Sequence, residues 1–273
     1  MSVLQSAIQN IQQATRRIVV MGPMASGKTA LSVSASAFAG DKLPAKAAIC
    51  EDTVVMSGDQ EGIAGAMDAG LTPGIVVDMT VSKTWAEYQG LLASAFGELI
   101  PMIKAGKVKF VVVDMALPSK LIIESVAPKD IKDWGKVAGE GLKLYQVFGA
   151  LKGATIIANV QIKSATAVVE TAAGAAGAEA KAIGGERATF TADLTKSIFA
   201  PWAENSSLVL SREVKRFKDP MKKDAPTERR YLTHTQSNSR MEAKSRFGSK
   251  LLPTEPGERT LNSLLRQAYG DML

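Results

Sequence analysis

The sequence predicts an α/β fold in which a mostly parallel central sheet has helices on both faces. Short apolar runs alternate along the chain with longer segments of helical periodicity, which is the order that successive βαβ units produce. A length of 273 residues is enough for one large domain with a sizeable core. A glycine-rich pattern, G-x-x-x-x-G-K-[ST], stands between the first apolar run and the helical segment after it.

Each predicted strand is a short apolar run, and each predicted helix has apolar residues three or four positions apart. The strands are predicted at residues 17–21, 47–50, 74–79, 108–114, 154–160, 207–210 and 230–234. The helices are predicted near residues 28–38, 60–69, 84–105, 133–151 and 191–202, after an amphipathic helix at 2–15. The domain organisation that follows is an N-terminal helix at 1–16 as a candidate oligomerisation element, a core at 17–250 and a C-terminal tail helix at 251–273.

Composition excludes several classes of protein. With 46% apolar and 22% charged residues, the chain is unlike disordered, collagen-like or disulfide-rich proteins. Cys50 is the only cysteine, so no internal disulfide can form. The sequence has no run of about 18 uncharged apolar residues and no secretory signal pattern at its start. We therefore expect a cytoplasmic protein with no membrane partner.

The net charge of +6 is confined to the end of the chain. Residues 1–210 hold 19 Lys and Arg against 19 Asp and Glu, whereas residues 211–273 hold 14 against 8. Localised positive charge favours a polyanionic partner, most often nucleic acid, but a role in solubility explains the same excess. Composition alone does not decide between the two.

The glycine-rich pattern is complete. It consists of Gly22, Pro23, Met24, Ala25, Ser26, Gly27, Lys28 and Thr29, and Ala30 follows in the predicted helix. Glycines at both ends let the backbone curl so that successive N–H groups, and the helix that follows, face a phosphate. In such loops the lysine reaches the β- and γ-phosphates, and the Ser/Thr hydroxyl is a ligand of Mg²⁺. The sequence therefore predicts a site for ATP and Mg²⁺, with Lys28 and Thr29 in these two roles.

Two acidic positions complete the predicted site. Asp114 ends a buried apolar run, where its carboxylate can hold the water shell of Mg²⁺. Glu51 follows the run at 47–50 and is the predicted base that aligns the attacking water, with Asp52 as the alternative. The carboxyl ends of parallel strands line one crevice, so both acids are expected to face the γ-phosphate. An ordinary acidic surface turn is the other interpretation of residues 51 and 52.

In this order of parts the chain resembles the RecA-type recombinase core, a three-layer P-loop NTPase. The resemblance covers roughly residues 17–247 and is most specific at the phosphate loop. Glu51 stands at the position of the family's catalytic glutamate, and Asp114 at that of its Walker B acid. Residues 156–163 look like the family's sensor strand. Gln161 would then couple the γ-phosphate to the loop that follows.

The resemblance also implies a DNA-binding loop. In the family, the second DNA-binding loop follows the sensor strand and leads through a Gly-Gly pair into a helix. The segment at 164–183, with nine alanines and two glycines, and the pair Gly184 and Gly185 stand at this place. We expect the segment to order on single-stranded DNA, with Lys163, Lys181 and Arg187 near the DNA backbone.

A second basic element follows near the C-terminus. Residues 244–248 look like the K-x-R-F-G stretch of the RadA/Sms and hexameric-helicase branch, whereas residues 231–235 lack the paired lysines of RecA itself. Positions two apart in an extended segment share one face, so Lys244 and Arg246 could act together on a nucleotide of the neighbouring subunit. This role requires a homo-oligomer, either a ring or a filament. A solvated basic turn is the other interpretation.

The overall layout is similar to that of phage-encoded single-strand annealing ATPases. The similarity implies an ATP-dependent, single-stranded-DNA-binding recombination or annealing protein that hydrolyses ATP at subunit interfaces. Its expected location is the cytoplasm of a bacterial host, and a single-strand DNA-binding protein is a candidate partner. Two alternatives stay open, namely a hexameric helicase-like DNA translocase and a nucleotide-gated DNA-binding module with little hydrolysis.

Overall fold

A mixed, mostly parallel sheet forms the centre of the fold. The computed structural model describes residues 16–43, 47–167, 187–192, 196–217, 228–237, 243–246 and 250–270. The strands are β1 (Arg16–Gly22), β2 (Ala48–Ser57), β3 (Leu71–Asp78), β4 (Phe110–Asp114), β5 (Thr155–Ala167), β6 (Arg187–Ala192), β7 (Leu208–Phe217), β8 (Glu228–His234), β9 (Lys244–Ser245) and β10 (Thr254–Pro256).

The strand order places β1 in the middle of the sheet. Among the described residues the order is β10-β8-β7-β1-β5-β4-β2-β3, with β6 paired to β5 and β9 paired to β7. All pairs from β7 to β3 in this order are parallel, whereas β8, β10, β6 and β9 pair antiparallel with their neighbours. The carboxyl ends of β1, β5, β4 and β2 therefore meet at one edge of the sheet.

Helices connect these strands. They are α1 (Lys28–Val33), α2 (Gln60–Asp68), α3 (Trp85–Lys104), α4 (Ala116–Val126), α5 (Ile131–Val147), α6 (Lys196–Asn205) and α7 (Leu261–Tyr269), with short 3-10 turns at Ala37–Ala39 and Phe148–Ala150. Local sequence explains where several begin. The Thr84 side chain accepts from the N–H of Glu87, whose carboxylate accepts from the N–H of Thr84, and this reciprocal cap starts α3. Asp130 and Thr260 are the N-caps of α5 and α7, because their side chains accept from the N–H groups of Asp133 and Ser263.

Alternating residues of the strands build two separate cores. On β1, Val19 and Met21 belong to a core with α3, α4, α5 and α6, whereas Ile18 and Val20 belong to a core with α1, α2 and α7. Successive side chains of a strand point to opposite faces, so both faces of a doubly covered sheet must be apolar. The continuous apolar runs in the sequence have this cause, and the predicted α/β class with helices on both faces is confirmed.

The predicted N-terminal helix at residues 2–15 lies outside the described residues, and elsewhere the structure differs from the predicted elements in several places. The predicted strand at 47–50 continues to Ser57, because Val54, Val55 and Met56 extend its buried run beyond the acidic pair. Helix α4 was not predicted. Residues 187–192 form the strand β6, whereas a helix was predicted to begin at residue 191.

The predicted tail helix is α7, and it is part of the core. Leu261, Leu264 and Leu265 are fully buried against α1 and the sheet. None of the helices in the described ranges combines the length and the apolar character needed to cross a membrane.

Candidate nucleotide-binding site

The glycine-rich loop leaves the sheet at the carboxyl end of β1. Gly22 is the last residue of β1 and pairs in register with Gln161 of β5, while Asp114 ends β4 in register with Asn159. The sheet therefore brings Gln161 and Asp114 to the edge from which the loop begins. This edge is where ligands bind in open α/β sheets.

The backbone of the loop is tightly curled. Ala25 and Gly27 have positive φ angles of 57° and 74°, the N–H of Ser26 donates to the Pro23 carbonyl at 3.3 Å, and the N–H of Leu31 donates to the Gly27 carbonyl at 2.9 Å. A Cβ at position 22 would lie only 2.3 Å from Oγ of Ser26, so the first glycine is required by close approach. Helix α1 begins directly at Lys28.

Lys28 lies folded back over the loop. Its Nζ donates to the carbonyls of Gly22 at 3.1 Å and Pro23 at 2.9 Å. Burial lowers the pKa of Lys28, while the charges of Asp114 and Asp59 act in the opposite direction. The ammonium group is thus held among carbonyl oxygens and within the electrostatic reach of two carboxylates.

Asp114 faces the same ammonium group from the end of β4. Its Oδ1 accepts a hydrogen bond from the N–H of Ala116 at 3.0 Å. Burial raises the pKa of Asp114, and the nearby Asp59 also raises it, whereas the Ala116 N–H and Lys28 lower it. A cation bound beside Asp114 would therefore stabilise its ionised form.

Asp59 is a third charged group of the site, and it comes from the turn after β2. It caps α2, because its Oδ1 accepts from the N–H of Glu61 at 2.9 Å. The Ser57 hydroxyl fixes the turn by donating to the Asp59 carbonyl and accepting from the Asp59 N–H. A Cβ at Gly62 would lie 2.8 Å from Oγ1 of Thr29 and 3.5 Å from Oδ2 of Asp59. The first turn of α2 therefore packs against the start of α1.

No protein-family model and no curated protein matches this chain.

The structure does not bring Glu51 to this site, which corrects its predicted position. Glu51 is an exposed residue six positions before the end of β2, about 20 Å along the strand from the edge that carries the loop. The prediction ended the strand at residue 50, but the strand continues for another seven residues. Asp52, the alternative, is buried on the same part of β2 and accepts from the hydroxyls of Ser36 and Thr53.

Gln161 and its neighbour Asn159 take different positions beside the loop. Asn159 is buried, and its Oδ1 accepts from the Ser32 hydroxyl of α1 at 2.6 Å. Gln161 is partly exposed next to Gly22 in the adjacent strand. Among the residues of β5, Gln161 is therefore placed to contact a ligand of the loop, whereas Asn159 ties α1 to the sheet.

Two of the three predicted DNA contacts belong to the β5–β6 pair. Lys163 of β5 pairs with Thr191, and Arg187 of β6 pairs with Ala167. Lys181 lies outside the described residues, as does most of the predicted loop. The pair brings the two ends of the loop together on the strand that also carries Gln161.

Lys244 and Arg246 contact helix α6 of their own chain. Nζ of Lys244 donates to the carbonyls of Ala203 at 3.0 Å and Glu204 at 2.8 Å, and Nη2 of Arg246 donates to the Glu204 carbonyl at 3.0 Å. Both side chains donate to the Glu204 carbonyl and so stabilise the C-terminus of α6. The strand β9, which contains Lys244, pairs with the beginning of β7. This part of the sheet lies at the end opposite the glycine-rich loop.

Two residues of the site, Asp59 and Arg212, are not among those predicted from the sequence. Asp59 had a signal, since an acidic N-cap follows the apolar run at 54–56 and precedes a helical segment. Arg212, a single arginine in a strand, had none. It is 2% exposed and donates from Nε to the Ser26 carbonyl at 3.3 Å, directly beneath the loop.

The residues present fit a phosphate group and Mg²⁺. Oγ of Ser26 is buried inside the loop and has no hydrogen-bond partner within the described structure, so it has the capacity to donate to a phosphate oxygen. Mg²⁺ in nucleotide sites is usually held by one or two protein oxygens together with phosphates. Thr29 and Asp114 supply such oxygens beside Lys28, and Asp59 lies close to Thr29.

Proposed function

We propose that this chain is a Mg²⁺-dependent ATPase of RecA-like fold whose nucleotide state controls its binding of single-stranded DNA. One observation carries the proposal: the curled loop places Lys28 at the sheet edge where Asp114 and Asp59 converge. A partly buried ammonium group near two carboxylates, beside glycine-rich backbone, is an arrangement suited to a triphosphate and its metal ion.

Each residue of the loop edge has a defined task in this proposal. The backbone N–H groups of residues 22–29 and Nζ of Lys28 bind the phosphates, once Lys28 exchanges its carbonyl partners for phosphate oxygens. Thr29 and Asp114 hold Mg²⁺, which when bound neutralises charge on the phosphate oxygens. Asp59 replaces Glu51 as the candidate that orients the attacking water and accepts its proton.

Gln161 supports the link from nucleotide to DNA. It stands beside Gly22 on the strand that continues into the β5–β6 pair, so a contact with phosphate would act on the strand leading to the predicted DNA loop. The basic excess of residues 211–273 provides further attraction for a polyanion. Lys163, Lys181 and Arg187 remain the residues that we propose to contact the DNA backbone.

Action between subunits stays part of the proposal. Lys244 and Arg246 would leave the carbonyls of α6 and bind the nucleotide of an adjacent subunit in a ring or filament. For this exchange, the two cations must bind the nucleotide phosphates more strongly than the carbonyls at the C-terminus of α6. A phosphate carries more negative charge than a helix C-terminus, so it is the stronger partner.

The decisive experiment is the ATPase rate with and without single-stranded DNA over a series of salt concentrations. We expect DNA to raise the rate, and the apparent DNA affinity to fall steeply as salt rises, because a basic contact releases counterions. A strand-annealing assay in parallel separates annealing from strand displacement by a translocase. An ATPase rate that DNA does not change at any salt concentration would contradict the DNA part of the proposal.

A nucleotide-gated binding module with little hydrolysis is the second candidate. The remote position of Glu51 favours it, since the residue expected to activate water is absent from the loop edge. If Asp59 does not take this role, nucleotide binding should persist with very slow turnover. Comparison of ATP affinity with single-turnover hydrolysis distinguishes the two candidates.

A further inference from the structure

Arg212 connects the phosphate loop to two other parts of the chain. It lies on β7, and Ser211, the residue before it in that strand, pairs in register with Met21 of β1. Besides the bond from Nε to the Ser26 carbonyl, its Nη1 donates to Oγ1 of Thr233 at 2.9 Å and to the carbonyl of Gly257 at 2.8 Å. One side chain thus joins the loop, β8 and the segment after β10.

The guanidinium group of Arg212 is buried, and no carboxylate of the described residues forms an ion pair with it. Within the described ranges, its hydrogen-bond acceptors are two carbonyls and a hydroxyl, and no ion pair of Arg212 is formed. Burial lowers the pKa of Arg212 to about 10, although the Tyr231 ring, 5.4 Å away, acts in the opposite direction. A buried charge without an opposite charge is costly, and an apolar side chain would usually serve stability equally well. The position therefore calls for a task that the guanidinium performs.

The segment around Gly257, whose carbonyl accepts from Arg212, packs closely against Tyr231 of β8. The N–H of Gly257 donates to the Tyr231 carbonyl at 3.0 Å, and a Cβ at position 257 would lie 2.2 Å from that carbonyl. A few residues on, the N–H groups of Leu261 and Asn262 donate to Oγ and the carbonyl of Ser34, just after α1. The C-terminal segment is thus bonded just beyond the end of α1 and, through Arg212, to the loop at its start.

Peptide geometry gives the Arg212 bond a direct effect on the loop. The Ser26 carbonyl and the Gly27 N–H belong to one planar trans peptide, in which the two groups point in opposite directions. Holding the Ser26 oxygen toward Arg212 therefore turns the Gly27 N–H away from it. The guanidinium also packs against Gly27, where a Cβ would lie 3.4 Å from Nη2.

We propose that Arg212 is a positioning residue of the phosphate loop, which fixes the direction of the Gly27 N–H and ties the loop to residues 254–262. This inference rests on the proposed function, because it concerns the same phosphate site. The C-terminal segment then belongs to the nucleotide site, and a change in its position alters phosphate binding through Arg212.

The test compares Arg212→Met with Arg17→Met in the full chain. Arg17 is a partly buried arginine of β1 that contacts Tyr145 away from the loop, so it controls for loss of an arginine from the same sheet. Calorimetric titration with ADP should show about tenfold or greater weakening in Arg212→Met, a change within twofold in Arg17→Met, and partial recovery in Arg212→Lys. Thr233→Val, which keeps the guanidinium but removes one acceptor, should weaken ADP by about threefold.

Amide hydrogen exchange of the nucleotide-free proteins is the second readout. In Arg212→Met, exchange should rise in residues 22–29 and in residues 254–262 together, and it should stay unchanged there in Arg17→Met. ADP affinity within twofold of the wild type, or unchanged exchange in the loop, would overturn the inference. If the wild type binds no ADP, the proposed function fails, and the exchange measurement still decides whether Arg212 fixes the loop. If Arg212→Met does not fold, Arg212→Lys and Thr233→Val decide it by the same two measurements.

Discussion

The backbone of Gly62 lies against the hydroxyl of Thr29, so that a Cβ at position 62 would stand 2.8 Å from Oγ1. Gly65, three residues later on the same helix, has no atom within 4 Å of the corresponding position. Only the first of these glycines is required by a neighbour. Because Thr29 is the proposed ligand of Mg²⁺, helix α2 is in direct contact with the metal side of the loop.

We expect Gly62→Ala to weaken Mg²⁺-dependent nucleotide binding by roughly tenfold or more, since the new methyl group must displace either α2 or the Thr29 hydroxyl. Gly65→Ala is the matched control. It should leave binding unchanged and stabilise the protein by about 0.5–1 kcal/mol, because alanine has the higher helix propensity. Titration of each variant with ADP, with and without Mg²⁺, measures the effect. Equal behaviour of the two variants would contradict the assigned role of Thr29.

The position of Asp59 can be tested against that of Glu51. Asp59→Asn should lower the ATP turnover number by about 10²–10⁴-fold while ATP still binds, because the amide cannot accept a proton from water. Glu51→Gln changes an exposed residue at the far end of β2, so turnover should stay close to that of the wild type. Steady-state kinetics of both variants provide the comparison. A loss confined to Glu51→Gln would restore the interpretation based on sequence and remove Asp59 from the site.

Asp114 should show opposite effects on stability and on metal binding. Burial raises its pKa above the ordinary value of 3.8, so the ionised form is disfavoured in the folded state. As the pH falls from neutral toward the raised pKa, the folded state binds a proton before the unfolded state does, and this group then contributes more stability. We therefore expect Asp114→Asn to be more stable than the wild type at neutral pH without nucleotide, with a smaller difference in acid.

Urea unfolding at two pH values tests this expectation, and Mg²⁺ should no longer tighten nucleotide binding in the Asp114→Asn protein. Asp78→Asn is a control of opposite sign. Hydrogen bonds from Thr80 lower the pKa of Asp78, an exposed residue, so its removal should leave stability equal or slightly lower at neutral pH. A destabilised Asp114→Asn protein would show that the carboxylate is needed for the fold.

Lys244 and Arg246 have two interpretations that a mixing experiment separates. As helix-capping cations they stabilise α6, and their joint replacement by alanine should cost about 0.3–1 kcal/mol for each charge. If they also act on a neighbouring subunit, mixing that double variant with Lys28→Ala should recover part of the lost ATPase activity. Each of these proteins then supplies the half of an interface that the other lacks. No recovery in mixed oligomers would leave only the capping role.

The burial of α7 predicts a large effect of a single core substitution. Leu265→Ala should destabilise the protein by about 2–5 kcal/mol, because the side chain is fully buried between α7 and the sheet. Leu142→Ala on α5 is the control, since Leu142 is exposed and its loss should change stability by about 0.5 kcal/mol or less. Thermal or urea unfolding measures both. Similar small effects would show that residues 261–269 are an appended tail.

Much of the fold could be predicted because its signals are local. Buried parallel strands read as continuous apolar runs, and the helices between them carry their own periodicity and caps. Strand ends were less certain. The Glu51–Asp52 pair interrupts the apolar run of β2 in the sequence, and the pairing with β3 shifts register between Cys50 and Val54, yet β2 pairs with both β3 and β4 from Val54 onward. Glu51 was expected at the loop for this reason, because the end of β2 decides which carboxylate reaches the loop.

The glycine-rich loop could be predicted from the sequence alone, because its eight residues are contiguous and Gly22 and Gly27 permit its curled backbone. Only the tertiary structure decided that Asp59 joins the site, that Arg212 holds Ser26 from 186 positions away, and that α7 belongs to the core. These relationships depend on how the strands order and register in the sheet. Strand order and register follow from the packing of both faces at once, which no short segment of sequence encodes.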